Sequence, residues 1–169
     1  MGKIQDAQRI LQEACLAPGK HCELQIAVIE SFVLHFTPNS IVLYMGDAAN
    51  KSVIYEKERL EELGASLTMH NKLPDIILYD EAKNVLFLIE AAASHGPITP
   101  ERLFELEKLL QNCIPRRIYI SAFLDFAQYE QHILPVAWDT HVWLAEVPEH
   151  MIHYNGDRYM GQHGSFPQR

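Results

Sequence analysis

Hydrophobic positions along this chain change period several times, and each change marks an element. Residues 4–15 carry Ile4, Ala7, Leu11 and Ala14 at helical spacing, and Pro18-Gly19 ends that run. A second helix is predicted from Glu23 to Phe36, with Leu24, Ala27, Val28, Ser31 and Leu34 on one face and Pro38-Asn39 as its stop. IVLYM at 41–45 reads as a short buried strand, and YEKERLEEL at 55–63 as an acidic amphipathic helix closed by Gly64. The apolar runs at 75–79 and 85–92 flank the polar stretch Asp80 to Asn84 and make a hairpin. A further helix starts at Pro100, whose fixed φ suits a first turn, with Thr99 as its cap and Leu103, Leu106, Leu109 and Leu110 facing inward. A strand RIYISAF (117–123), a helix FAQYEQHI (126–133) and a strand HVWLAEV (141–147) follow, and the last ten residues read as a frayed tail. This alternation predicts an α/β domain.

The hairpin also carries candidate chemistry. Asp75 follows Pro74 at the entrance to the first run, where a proline loses no ladder hydrogen bond, and Glu90 closes the second. Adjacent strands bring the two carboxylates together at the end of an otherwise apolar pair. A lone buried charge costs several kcal/mol, so something must compensate Glu90. Two converging carboxylates suit a hard divalent cation, Mg²⁺ with Mn²⁺ as its substitute, which keeps waters and binds one or two protein oxygens together with phosphate.

At 169 residues the chain suffices for one domain with a full core. It has no apolar run of about 18 residues and no lipidation motif, so no membrane role is expected. Cys15, Cys22 and Cys113 are odd in number and form no CxxC, which predicts reduced thiols in a cytoplasmic protein. The net charge of −8, from 14 Lys+Arg against 22 Asp+Glu, opposes a wholly basic nucleic-acid surface. A local cleft lined by Lys72, Arg102, Lys108, Arg116, Arg117 and Arg158, with the acidic excess of Glu56, Glu58, Glu61 and Glu62 on a distant helix, is compatible with that balance. Nucleotide-binding and serine-hydrolase signatures are missing: there is no GxGxxG, no GxxxxGK[ST] and no GxSxG.

The Pro-Asp pair, a spacer, then Glu near the end of a second strand resembles the PD-(D/E)xK nuclease superfamily. The resemblance runs further. VLYMGDAANK (42–51), KLPDIILYD (72–80), FLIEAAASHGPI (87–98), YISAFLDF (119–126) and AWDTHVWLAEVPEHMIHYNGDRYMG (137–161) resemble successive blocks of the BsuBI/PstI family of type II restriction endonucleases. That resemblance implies a restriction-endonuclease-like sandwich, with a central mixed sheet of four to five strands flanked by helices. It divides the chain into an N-terminal helical extension (1–22), a nuclease domain (23–161) and a flexible tail (162–169). It further implies metal-dependent hydrolysis of double-stranded DNA by a homodimer whose two-fold symmetry matches a palindromic site.

Alternate residues of a strand share a face, so Leu86, Leu88, Glu90 and Ala92 point one way, and the superfamily's lysine position falls on Ala92. Ser94, next in parity, and His95 are then candidates to contact water or phosphate. Lys72 is a candidate cation beside the site, and Lys51 and Arg102 are candidates for the missing lysine's work. Lys51, Arg102, Arg116 and Arg117 are the expected DNA contacts. By the same resemblance Glu30, on the first core helix, is a third candidate metal ligand. His141, His150, His153 and His163 lack zinc-site spacing and read as mixed core and surface residues, and Trp138 and Trp143 as core anchors. Two other readings stand beside the nuclease: an inactive nuclease-like domain binding DNA or a protein, with its carboxylates apart or paired to Lys or Arg, and a metal-dependent phosphoesterase acting elsewhere.

Overall fold

A computed structural model describes residues 3–15, 19–46, 52–67, 72–93, 95–158, 160 and 162–164. The first helix, α1 (Ile4–Ala14), is followed by α2 (Lys20–Ala27), a π-helical segment (Val28–Phe32) and α3 (Val33–Phe36), which form one continuous rod. Burial along this rod advances by four residues per turn: Leu24, Val28 and Phe32 in one row, Gln25, Ile29 and Val33 in the next. The wider π turn is the reason, because it slows the rotation of the side chains below that of an α-helix. The predicted face drifts off this stripe, and Leu34 ends 67% exposed.

Eight strands among the described residues form one mixed sheet in the order β2 (Ser52–Tyr55), β1 (Ile41–Gly46), β3 (Ile76–Asp80), β4 (Val85–Ala91), β5 (Arg116–Phe123), β6 (Thr140–Leu144) and β7 (Met151–Tyr154), with β8 (Gln162–His163) pairing with β5. The sheet is larger than the four to five strands expected. β3 and β4 are the predicted antiparallel hairpin; β4, β5 and β6 run parallel, and α5 (Pro100–Leu109) crosses from β4 to β5. α4 (Lys57–Glu62) and α6 (Phe126–Glu130) complete the helices. β6 pairs with β5 only from Ile120 onward, leaving the edge of Arg117 and Ile118 for β8. Part of the expected frayed tail is therefore sheet.

Both faces of the sheet are covered, as parallel strands require. Phe87, Ile89, Ile120 and Trp143 pack under the first helices, and α1, expected as an extension, supplies Ala7 and Leu11 to that cluster. Leu86, Leu88, Ile77 and Tyr119 pack on the opposite face against Leu60 and Leu63 at α4 and Leu106 and Leu110 at α5. The alternation along β4 follows the parity read from sequence. Trp143 is a core anchor, whereas Trp138 is 67% exposed.

Cys15 and Cys22 form a disulfide with Cα atoms 6.1 Å apart, which overturns the expectation of three reduced thiols; Cys113 is the free, buried one. The end of α1 and the first turn of α2 approach one another across their short connection, a proximity that cysteine spacing does not reveal. No helix among the described residues is long and apolar enough to cross a membrane.

Candidate active site

Asp75 precedes β3 and Glu90 is the last residue but one of β4. Ile76 lies opposite Ile89, and the same register carries Asp75 opposite Glu90. The Ala91 N–H donates to Asp75 Oδ2 at 2.7 Å, and the two carboxyl groups are in hydrogen-bond contact. Burial pushes Asp75 up to about 6, against the lowering effect of the Ala91 N–H, Glu90 and Arg102. Glu90 rises to about 7, since burial and the charge of Asp75 act together and Arg102 offsets them only in part. The pair is an undercompensated patch of negative charge in a low dielectric.

Three elements frame it. Thr99 caps α5 as predicted, accepting the Arg102 N–H at 3.2 Å, and so sets the Arg102 side chain over the end of β4. Its Nε and Nη2 donate to Glu90 Oε1 at 2.7 and 2.6 Å, and Nη1 donates to the Lys72 carbonyl at 2.9 Å. The connection from β4 to α5 is pinned by the Ala92 N–H on Ala122 O and the Ile98 N–H on Ser121 Oγ. On the other side Gln25, buried in α2, donates to Gly46 O at 2.5 Å, and the Gly46 N–H donates to Asp75 O at 3.0 Å. His21, in the first turn of α2, brings Nε2 to 3.7 Å from Asp75 Oδ1. The carboxylates open into a cleft of about 290 Å³ whose lining includes Lys72, His95, Glu101 and Arg102.

Two oxygen donors converging in such a cleft, with both Arg102 contacts on a single oxygen of Glu90, fit a hard divalent cation. No group of three or more His, Cys, Asp or Glu among the described residues forms a fuller cage.

Residues 4–157 match the family model described as the BsuBI/PstI restriction endonuclease domain. The chain belongs to the BsuBI/PstI restriction endonuclease family. It is 36% identical over 150 residues to the type II restriction enzyme BsuBI of Bacillus subtilis, covering 89% of this chain and 48% of that protein. It is 30% identical over 152 residues to the type II restriction enzyme AplI of Arthrospira platensis, covering 86% and 47%. Among solved structures it is similar to the SdaI restriction endonuclease, with a TM-score of 0.78, 32% identity and coverage of 90% of this chain and 47% of that one. The chain thus spans about half the length of the relatives it matches.

Within this BsuBI/PstI domain the expected residues separate. Asp75, Glu90, Lys72, His95 and Arg102 line one cleft. Ser94 and Lys51 lie outside the described residues. Glu30 is exposed on the π segment and is not among the residues lining the cleft; the four-residue advance turns it, like Leu34, away from the core. Arg102, expected on phosphate, is turned inward with its side chain only 12% exposed. Arg117 is buried as well: Nε and Nη2 reach Glu107 at 2.8 and 3.2 Å, and Tyr119 donates to the same carboxylate at 2.5 Å. Arg116 bonds Gln162 and the Lys83 carbonyl. The parallel register sets Arg116 beside Val85, Arg117 beside Leu86 and Ser121 beside Glu90, so the two arginines lie toward the far end of β4, about 16 and about 13 Å from the site at about 3.3 Å per residue. Sequence reading missed His21 and Gln25. The available signal was two polar residues four apart on the flank of an apolar helix stripe.

Proposed function

We propose that this domain hydrolyses DNA phosphodiester bonds with a divalent metal, Mg²⁺ or Mn²⁺ in its place, held by Asp75 and Glu90. The observation that carries the reading is the cross-strand convergence of these two carboxylates in a cleft, in a chain of the BsuBI/PstI family. Such an ion supplies Lewis-acid polarisation of the scissile phosphate and a water that ionises near neutral pH. The protein's part is placement. The Ala91 N–H fixes Asp75 Oδ2, the shared contact aligns Glu90, and Gln25 through Gly46 holds the backbone at Asp75. Lys72 at the cleft margin meets a phosphate by charge, and His95, on the loop beyond the acidic strand, is within the same lining to hold a water. A two-fold homodimer on a double-stranded palindrome is the simplest assembly for cutting both strands.

The test is incubation of purified protein with plasmid and unmethylated genomic DNA in Mg²⁺, in Mn²⁺ and in EDTA, alongside calorimetric metal titration of Asp75→Ala and Glu90→Ala. Metal-dependent cleavage is expected for the parent and neither cleavage nor metal binding for the variants, with folding retained. Variants that bound metal as the parent does would sink the site assignment. The ion pair from Arg102 to Glu90 favours a second reading, a nuclease-like domain that binds DNA without cutting it. Intact DNA in every metal condition would move the conclusion there.

A further inference from the structure

The cleft holds a cation that strand parity does not supply. Ala92, where the superfamily's motif calls for lysine, is 1% exposed and its N–H is spent on Ala122 O. Lys72 and Arg102 are the lysine and arginine residues lining the cleft, and Lys72 is exposed and contributes its backbone carbonyl. Arg102 is held from two directions: Thr99 caps its backbone and the Lys72 carbonyl accepts Nη1. Glu105, 3.5 Å from the same nitrogen, is a solvent-exposed pair that adds little. Its remaining donors, Nε and Nη2, both fall on Oε1 of Glu90 and not one on each carboxylate oxygen.

We infer that Arg102 is the fixed cation of this site, a positioning residue that grips Glu90 by Oε1 and so presents Oε2, together with Asp75, to the metal. The inference rests on the metal-site reading above. Two donors of one planar guanidinium converge on a single oxygen and fix its position, which one ammonium on a flexible stem does not. Guanidinium also keeps its proton at every working pH, so this residue orients and does not shuttle protons. Groups that orient a metal's ligand typically change metal affinity about 10- to 100-fold when removed.

Mn²⁺ binding by the full chain, followed through the electron paramagnetic resonance of the free ion, decides the point for the parent, Arg102→Gln, Arg102→Lys and Glu105→Gln, with thermal melts in parallel. Affinity about tenfold weaker is expected for Arg102→Gln. A clear loss is expected for Arg102→Lys, which keeps the charge but not the fork, and parent-like binding for Glu105→Gln. If Arg102→Gln bound Mn²⁺ as tightly as the parent or more tightly, the guanidinium would be a counter-ion that the metal displaces. If Arg102→Lys matched the parent, charge alone would suffice; either result overturns the inference. Should Arg102→Gln not fold, Arg102→Lys against Glu105→Gln decides. A parent that fails to bind Mn²⁺ brings down the metal site itself and this inference with it, whereas a binding parent with a parent-like Arg102→Gln sinks this inference alone.

Discussion

Glu90 and Asp75 are two like charges pressed together, and stability should follow their protons. Both are raised above ordinary carboxylate values, so the folded chain holds these protons more tightly than the unfolded one. The stabilisation is complete below pH ~4 and is lost as pH rises through about 6 and 7. In EDTA, the parent's melting temperature should fall between pH 5 and pH 8, and Glu90→Gln should flatten that fall. At pH 8 this variant is expected to melt about 2–4 °C above the parent, the shift that 1 kcal/mol produces at this size. A parent whose stability rises over the same interval would contradict the assignment of the shifts. Added Mg²⁺ should reverse the order, since only the parent retains both ligands.

At the level of elements, the arginine of β5 expected on DNA is a structural bolt between β5 and α5. Burial would raise Glu107, but its hydrogen bonds from Arg117 and Tyr119 outweigh that and hold it below the ordinary value. Arg117→Ala leaves the carboxylate with the Tyr119 hydroxyl but without its charged partner and should cost about 3 kcal/mol, read as a lower midpoint in urea. Mn²⁺ affinity of the folded protein should be unchanged, because the bolt lies toward the other end of β4. The hairpin and the capped start of α5 were legible because turn residues, strand parity and a Thr-Pro pair act locally. The acidic pair and its cleft came with them. The direction of an arginine was not legible, since Arg117 in a core ion pair and Arg117 on a phosphate are the same letter in the same strand. Nor were β2, β7 and β8. Four residues beside a charged helix, a half-exposed edge strand, and two residues paired to a strand 46 positions away leave too short a pattern to read. The π segment was hidden for a related reason: it shifts the buried stripe without changing which residues are apolar.

For the molecule as a whole, the acidic balance stands against a duplex, and the inward turn of Arg102 and Arg117 takes two expected cations away from it. Weak, strongly salt-dependent DNA binding is the expected behaviour. Lys72→Glu should weaken every sequence alike and flatten the slope of log K against log salt by about 0.9, the loss of one phosphate contact. Glu58→Lys, on α4, should leave binding unchanged or improve it. Fluorescence anisotropy at several salt concentrations, with Ca²⁺ replacing Mg²⁺, gives both numbers. Equal effects at the two positions would favour the protein-binding reading of the domain.

The short turn that joins β3 to β4 has a further consequence, for the order in which the chain closes. Asp75 meets Ala91 across 16 residues and Glu90 meets Arg102 across 12, so the acidic pair and its guanidinium belong to one contiguous segment. Loop-closure entropy penalises such contacts least, and they are available before the long closures that bring His21 to Asp75 or β8 to β5. The charged heart of the cleft is thus a local product of folding, and the distant elements arrive to wall it in.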